Sequence, residues 1–275
     1  MKRIWAAILI CLLLWGVAVA EIEMYAVNVG KGDAIILRTG GYTCLIDTGK
    51  DQAEASIRKA LEDMNITALD AVFITHCDKD HVGGLKWLRK SDLEIRAIHA
   101  SRYHPDKTRK KHQATKTAEK LGLEVIWLGQ GDSVALGDTG AVFRVLAPQA
   151  EIPGNEDDNS LVMLLDSPDG RILLCGDMEQ KEELLLLQSG QDLRCDVLKV
   201  PNHGDADACS AQLIAAAKPA VAVISTATEE KPDTPDKRVL KNLKSAGCQT
   251  YVTQDYAGGV YLKLDQGQVS VSDRP

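Results

Sequence analysis

The segment Thr75-His76-Cys77-Asp78-Lys79-Asp80-His81 sets two imidazoles and two carboxylates within six residues, directly behind a short apolar run. That density is hard to explain as packing. In an extended chain alternate side chains share a face, so His76, Asp78 and Asp80 can point together while His81 opens the following helix. Four such groups converging without a cation would suffer repulsion and pKa penalties that a divalent metal removes. A solvated acidic turn with two incidental histidines is the competing explanation, and motifs far along the chain weigh against it.

Around this segment, β-branched and apolar runs alternate with polar helical stretches, which predicts an α/β protein. Strands are expected at residues 22–29, 34–38 and 43–47, with Gly40-Gly41 turning between the last two. A helix at 52–64 precedes a strand at 71–75, and a helix at 81–90 follows, in which Gly83-Gly84 would allow close backbone approach. Further strands are expected at 125–128, 142–146, 161–165 and 172–175, then a helix at 180–188. A second strand-to-histidine junction spans 197–203. Helices at 208–217 and 236–246 and strands at 221–225, near Tyr251 and at 260–263 close the chain.

The ordered motifs carry a resemblance. His76 to His81 resembles the HxHxDH signature of the metallo-β-lactamase superfamily, in the HxDxDH form of the exported hydrolase domain of ComEC-like competence proteins. Asn28-Val29-Gly30-Lys31-Gly32-Asp33-Ala34 is similar to that branch's VGQGDA motif, and Leu45-Ile46-Asp47-Thr48-Gly49 to its IDTG. Asp158-Asn159-Ser160-Leu161-Val162 is similar to its DNSLV, Leu174-Cys175-Gly176-Asp177 to its LTGD, and Lys199-Val200-Pro201-Asn202-His203-Gly204 to its KVPHHG. The resemblance implies a four-layer αββα sandwich over a single domain at 21–275.

It also implies a two-metal site. Asp80, His81 and His203 would hold one ion, His76 and Asp78 the other, and Asp177 would bridge them. Asp47 would orient a ligand imidazole, although by itself it reads as an ordinary turn aspartate, and Asp33 is a further outer or ligating candidate. Two cations about 3.5–4 Å apart can stabilise the attacking and leaving oxygens of a displacement. Asp80 would orient or deprotonate the nucleophile. Zinc is the superfamily default, while the Asp78 oxygen makes manganese credible.

Three departures bear on catalysis. No histidine lies between His112 and His203, so Asn159 or water is expected to complete one shell. Asn202 replaces the first histidine of the HHG motif, and an amide donates a hydrogen bond but is no acid near neutrality. Lys231-Pro232-Asp233-Thr234-Pro235 occupies the late region where that branch often has a His-Pro pair. His99, His104 and His112 are expected to be structural or solvent-facing.

Phosphodiester hydrolysis, with DNA as one substrate, follows from the resemblance and from a basic run that includes Arg102, Lys107, Arg109, Lys110, Lys111, Lys116 and Lys120. Arg109, Lys110 and Lys111 are phosphate-binding candidates, against the alternative of a solvated helix face, and Lys199 is another. The net charge of −7 excludes general attraction to polyanions and requires such a local basic face. Hydrolysis of a cell-surface phosphodiester, or of an ester or lactam, is the alternative. An exported binding protein without turnover is the alternative of another class.

Lys2 and Arg3 precede an apolar run to about Val19, and Ala18-Val19-Ala20 offers a cleavage site. Residues 1–20 are therefore expected to be a signal peptide, with an uncleaved anchor as the competing reading, and the protein to be secreted or held at the cell surface. The seven cysteines form no CxxC pair or disulfide framework, and most are expected to be buried thiols.

Overall fold

The structure is a computed structural model that describes residues 21–104 and 112–275. The leader and the tip of the basic run, Arg109, Lys110 and Lys111 included, lie outside the described residues.

Two large sheets form the molecule. The first contains β1 (Ile22–Val27), β2 (Ile35–Thr39), β3 (Tyr42–Ile46), β5 (Ala71–Ile74), β7 (Ile98–Ser101) and β8 (Val125–Leu128), with β16 (Gly259–Asp265) and β17 (Gln268–Ser272) beyond β1. It runs antiparallel from β17 to β3 and parallel from β3 to β8. The second contains β9 (Ser133–Ala135), β10 (Val142–Ala147), β11 (Val162–Ser167), β12 (Gly170–Leu174), β13 (Val197–Lys199), β14 (Val221–Ile224) and β15 (Gln249–Val252), antiparallel up to β12 and parallel thereafter. A small parallel pair joins β4 (Ala68–Leu69) to β6 (Glu94–Ile95).

Strand alternation explains the layering. Ile22, Met24 and Ala26 of β1 and Ile35 and Leu37 of β2 enter a core shared with Met163 and Leu165 of β11 and Ile172 and Leu174 of β12. Their alternates Tyr25, Val27 and Ile36 face an outer cluster with Ile57 and Leu61 of α1 (Glu54–Asp63), and Leu85 and Leu88 of α3 (Leu85–Leu88) join it. On the far side, Leu164 and Leu173 meet Leu186 of α5 (Gln180–Gln188), Leu213 of α6 (Ala211–Ala217) and Leu243 of α7 (Lys237–Ser245). Period-2 strands with both faces apolar therefore produce the expected αββα sandwich.

The expected elements recur with small shifts in their ends. One differs in kind: the helix expected at 81–90 is two separate turns, α2 (Lys79–Val82) and α3. A Cβ on Gly83 would lie 2.5 Å from the Asp51 nitrogen, and one on Gly84 would lie 2.2 Å from the Thr48 oxygen. The glycines thus let residues 83–84 dock against the 48–51 loop. The chain bends there to make that contact.

The sequence reading missed β9 and β17, short edge strands that alternate but bury no residue fully. Gly40 and Gly41, at φ +51° and +92°, make the hairpin turn between β2 and β3 as expected. The six cysteines beyond the leader are buried and free.

Candidate metal centre

The carboxyl ends of parallel strands from both sheets meet at one seam. Such strand ends point backbone and side chains into a shared crevice. Asp47 follows β3, His76 follows β5, Asp177 follows β12 and His203 follows β13. The 3-10 turn Pro201–Gly204 puts Asn202 at φ 42° and His203 at φ 54°, and Asp47 has φ 57°. Left-handed backbone at three non-glycine positions costs energy, and here all three border the same cluster.

Three imidazoles are held from behind. His81 Nδ1 donates to Asp47 Oδ2 at 2.7 Å. His203 Nδ1 donates to the Ser225 carbonyl at 2.8 Å. His76 Nδ1 lies 3.0 Å from Thr75 Oγ1, whose hydroxyl donates to Asp47 Oδ2, and 3.2 Å from Ser160 Oγ. With every Nδ1 spoken for, each Nε2 is left to face inward, which is the tautomer a metal-binding histidine requires.

His81 Nε2 lies 3.2 Å from Asp177 Oδ2, His203 Nε2 lies 3.0 Å from the same oxygen, and the two nitrogens are 3.4 Å apart. Asp80 Oδ2 is 3.6 Å from His203 Nε2. Donors about 2.0–2.1 Å from a tetrahedral zinc would be roughly 3.3 Å from one another, so the spacing fits an ion at the centre. Asp80, His81, Asp177 and His203 form one such group, and His76, Asp157 and Asp177 form a second, each with donor atoms within 4.8 Å of one another. Asp177 belongs to both.

Burial and charge agree with that fit. His76 Nε2 and Asp177 Oδ1 are buried without a hydrogen-bond partner among the described residues. Burial, reinforced by the neighbouring His81, pushes the His76 pKa down to about 3. Burial, together with Asp177, Asp78 and Glu179, pushes Asp157 up to about 8. Burial alone would lower His81, but Asp177 and Asp47 overcome it and hold the imidazole well above its ordinary value. Excess negative charge around closely spaced imidazoles is relieved by a divalent cation.

Asp78 enters neither group and is half-buried. The shared-face argument holds only while the chain is extended, and α2 begins immediately after Asp78. Asp157 stands with His76 instead. Asn159 is also displaced from the expected role: its side chain donates to the Ile152 carbonyl at 2.8 Å, and its Oδ1 accepts from the Ile152 amide at 3.0 Å. It shapes the loop that carries Asp157.

Lys199 is a further correction. Its side chain is 1 % exposed and pairs with Asp33 at 2.8 Å, so the ammonium is not presented to a phosphate. Asp33 is committed in the same pair and sits 3.9 Å from His203 Nδ1, behind the ring. Asn202 directs its amide to Glu179 at 3.2 Å and Asp207 at 3.5 Å. His99 stacks on Phe73 with centroids 4.5 Å apart, and His112 caps α4 (Gln113–Leu121). His104 stacks on Trp127.

A model of the metallo-beta-lactamase superfamily matches residues 27–228. The chain belongs to that superfamily. ComE operon protein 3 of Bacillus subtilis is 25% identical over 243 residues, covering 82% of this chain and 31% of its own length. Recombination protein 2 of Haemophilus influenzae is 27% identical over 239 residues, covering 84% and 28% respectively. The chain thus spans about a third of the length of these competence-protein relatives. Among solved structures, the metallo-beta-lactamase fold protein YhfI from Bacillus subtilis aligns with a TM-score of 0.59 at 12% identity, over 89% of this chain and 99% of that one. It shares the fold.

Within this metallo-β-lactamase frame, the sequence reading passed over Thr75, Asp157, Ser160 and Lys31. Ser160 Oγ accepts from the Asp177 amide at 3.1 Å as well as meeting His76, which ties the two donor groups together. Asp157 and Ser160 flank Asp158-Asn159 in the quoted motif, so their nearness to it was the available signal. Lys31 lies in the opening motif and its Nζ donates to Asp80 Oδ2 at 2.6 Å. Beside Asp80 opens a cleft of about 630 Å³, whose lining includes Lys50, Cys77, Lys79, Val82 and Lys86.

Proposed function

We propose that this superfamily member is an exported metal-dependent phosphodiesterase, with nucleic acid among its substrates. The observation that carries the reading is the convergence of three back-braced imidazole Nε2 atoms on Asp177, which two donor groups share. Asp80, His81, His203 and Asp177 would hold one divalent ion, and His76, Asp157 and Asp177 the other. Nitrogen and carboxylate donors suit zinc, and the oxygen-rich second group also suits manganese.

When bound, two such ions supply Lewis acidity to the phosphoryl oxygens and acidify water. Asp80, with a side chain 13 % exposed beside the cleft, orients the attacking water and accepts its proton. Asp47 and Ser225 hold His81 and His203 in register. The lysines lining the cleft, the basic run toward α4 and a relative named for recombination support a polyanionic substrate. The basic, apolar leader supports export.

The test is metal content together with hydrolysis of bis-p-nitrophenyl phosphate, comparing wild type with Asp80→Ala in added zinc and manganese. Metal-dependent turnover lost in the variant is the expected result. Bound metal with no turnover of that diester or of DNA would reject the phosphodiesterase reading in favour of an ester or lactam substrate or a binding role.

A further inference from the structure

We propose that Lys31 and Lys231 together form an anion subsite at the mouth of the metal centre, taking the charged non-bridging oxygens of a phosphodiester. The inference rests on the phosphodiesterase reading and identifies residues for which the motifs assign no role. Both positions depart from the resembled branch: Lys31 replaces the glutamine of its opening motif, and Lys231 stands near its His-Pro pair.

The backbone brings the two segments together. Gly32, at φ +150°, is packed so that a Cβ would lie 2.6 Å from the Asp80 carbonyl, and the Asp33 amide donates to that carbonyl at 3.1 Å. This docking delivers Lys31 to Asp80. A Cβ on Gly30 would lie 2.0 Å from Glu230 Oε1, so the opening loop abuts the residue next to Lys231. Lys231 pairs with Asp205, two residues beyond His203, and the Asp236 amide donates to the Gly204 carbonyl at 2.8 Å. The 227–236 segment therefore rests on both the His203 turn and the loop that carries Lys31.

Each ammonium has donors to spare. An ammonium carries three N–H groups, and among the described residues Lys31 Nζ has one hydrogen-bond partner, Asp80, and Lys231 Nζ has one, Asp205. The side chains are 24% and 36% exposed, against 0–3% for His81, His203 and Asp177. Charged hydrogen bonds from such ammonium groups to phosphate oxygens are the strong ones. A buried lysine such as Lys199 cannot play this part; a half-exposed one beside the ligands can.

The experiment uses the zinc-loaded full chain as wild type, Lys31→Gln, Lys231→Gln and the double variant. Affinity for inorganic phosphate is measured by calorimetry, alongside KM and kcat on bis-p-nitrophenyl phosphate, bound zinc and the unfolding midpoint. Each single variant should lose about tenfold in phosphate affinity, with KM rising more than kcat falls, while zinc content and midpoint stay at wild-type values. Unchanged phosphate affinity in both single variants would overturn the subsite. So would zinc loss in Lys31→Gln that Lys31→Arg restores without restoring phosphate affinity, since the lysine would then act only by holding Asp80. If wild type cleaves no phosphodiester, the phosphodiesterase reading fails while the phosphate titration still decides the lysines.

Discussion

Asp47 Oδ2 accepts from His81 Nδ1 at 2.7 Å while Asp47 Oδ1 accepts from the Thr75 amide at 2.9 Å, so one buried carboxylate fixes both the ring of His81 and the chain that leads to His76. Asp47→Asn keeps a residue that tolerates φ 57° and removes the charge. It should weaken metal binding about 10–100-fold, as loss of an outer partner generally does. Chelator-competition titration reads the change directly, and an unaltered affinity would show that His81 needs no such brace.

The separation of Asp78 from Asp157 gives a stoichiometric prediction. Asp157→Ala should lower bound metal from two ions to one, whereas Asp78→Ala should keep two. Mass-spectrometric metal analysis after dialysis distinguishes them. The reverse pattern would restore the ligand set expected from the motif.

Phe73 is fully buried between His99, at 4.5 Å, and Phe143 of the opposite sheet, at 5.1 Å. Phe73→Ala should therefore cost about 3–5 kcal/mol in denaturant unfolding, since the cavity would lie where the sheets meet. A loss below about 1 kcal/mol would mean that the sheets close over the gap.

His99 carries a pH dependence of its own. Burial holds its pKa down at about 4, below the ordinary histidine value of about 6.5. Above that ordinary value both folded and unfolded forms are neutral and His99 contributes no slope. As pH falls from there toward 4, the unfolded chain takes up the proton first, and stability drops by about 1.4 kcal/mol per pH unit at most. His99→Phe should flatten this part of the urea-midpoint profile, and an identical slope in the variant would assign it to other groups.

Gly84→Ala should act on the site from outside it. The added methyl meets the Thr48 carbonyl, while the Thr48 amide and hydroxyl both bond the His81 carbonyl, at 2.7 and 2.8 Å. Displacing that loop moves His81, so metal affinity should fall together with the unfolding midpoint. A drop in midpoint alone would separate the docking of the loop from the placement of the ring.

The readable part of the molecule was whatever a local pattern could express. Apolar runs gave the central strands of both sheets because those strands have two buried faces, and the dense His76-to-His81 segment marked the strand end where the donor groups assemble. What escaped depended on contacts between distant segments. Asp157 looks like any loop acid until the 152–159 turn places it against His76, and Lys199 looks like a phosphate ligand until β13 buries it on Asp33. The 81–90 helix failed for the same reason, because two glycines bend it against a loop thirty residues earlier.

Half of the donor residues follow strands of the first sheet and half follow strands of the second: His76, Asp80 and His81 are synthesised early, Asp157, Asp177 and His203 late. Nascent chains that stop short of residue 177 would thus lack both donor groups however well their first sheet has formed, and the group that includes His203 closes later still. Any ion that enters the finished protein bolts one half of the polypeptide to the other, and its release is a step toward letting them part.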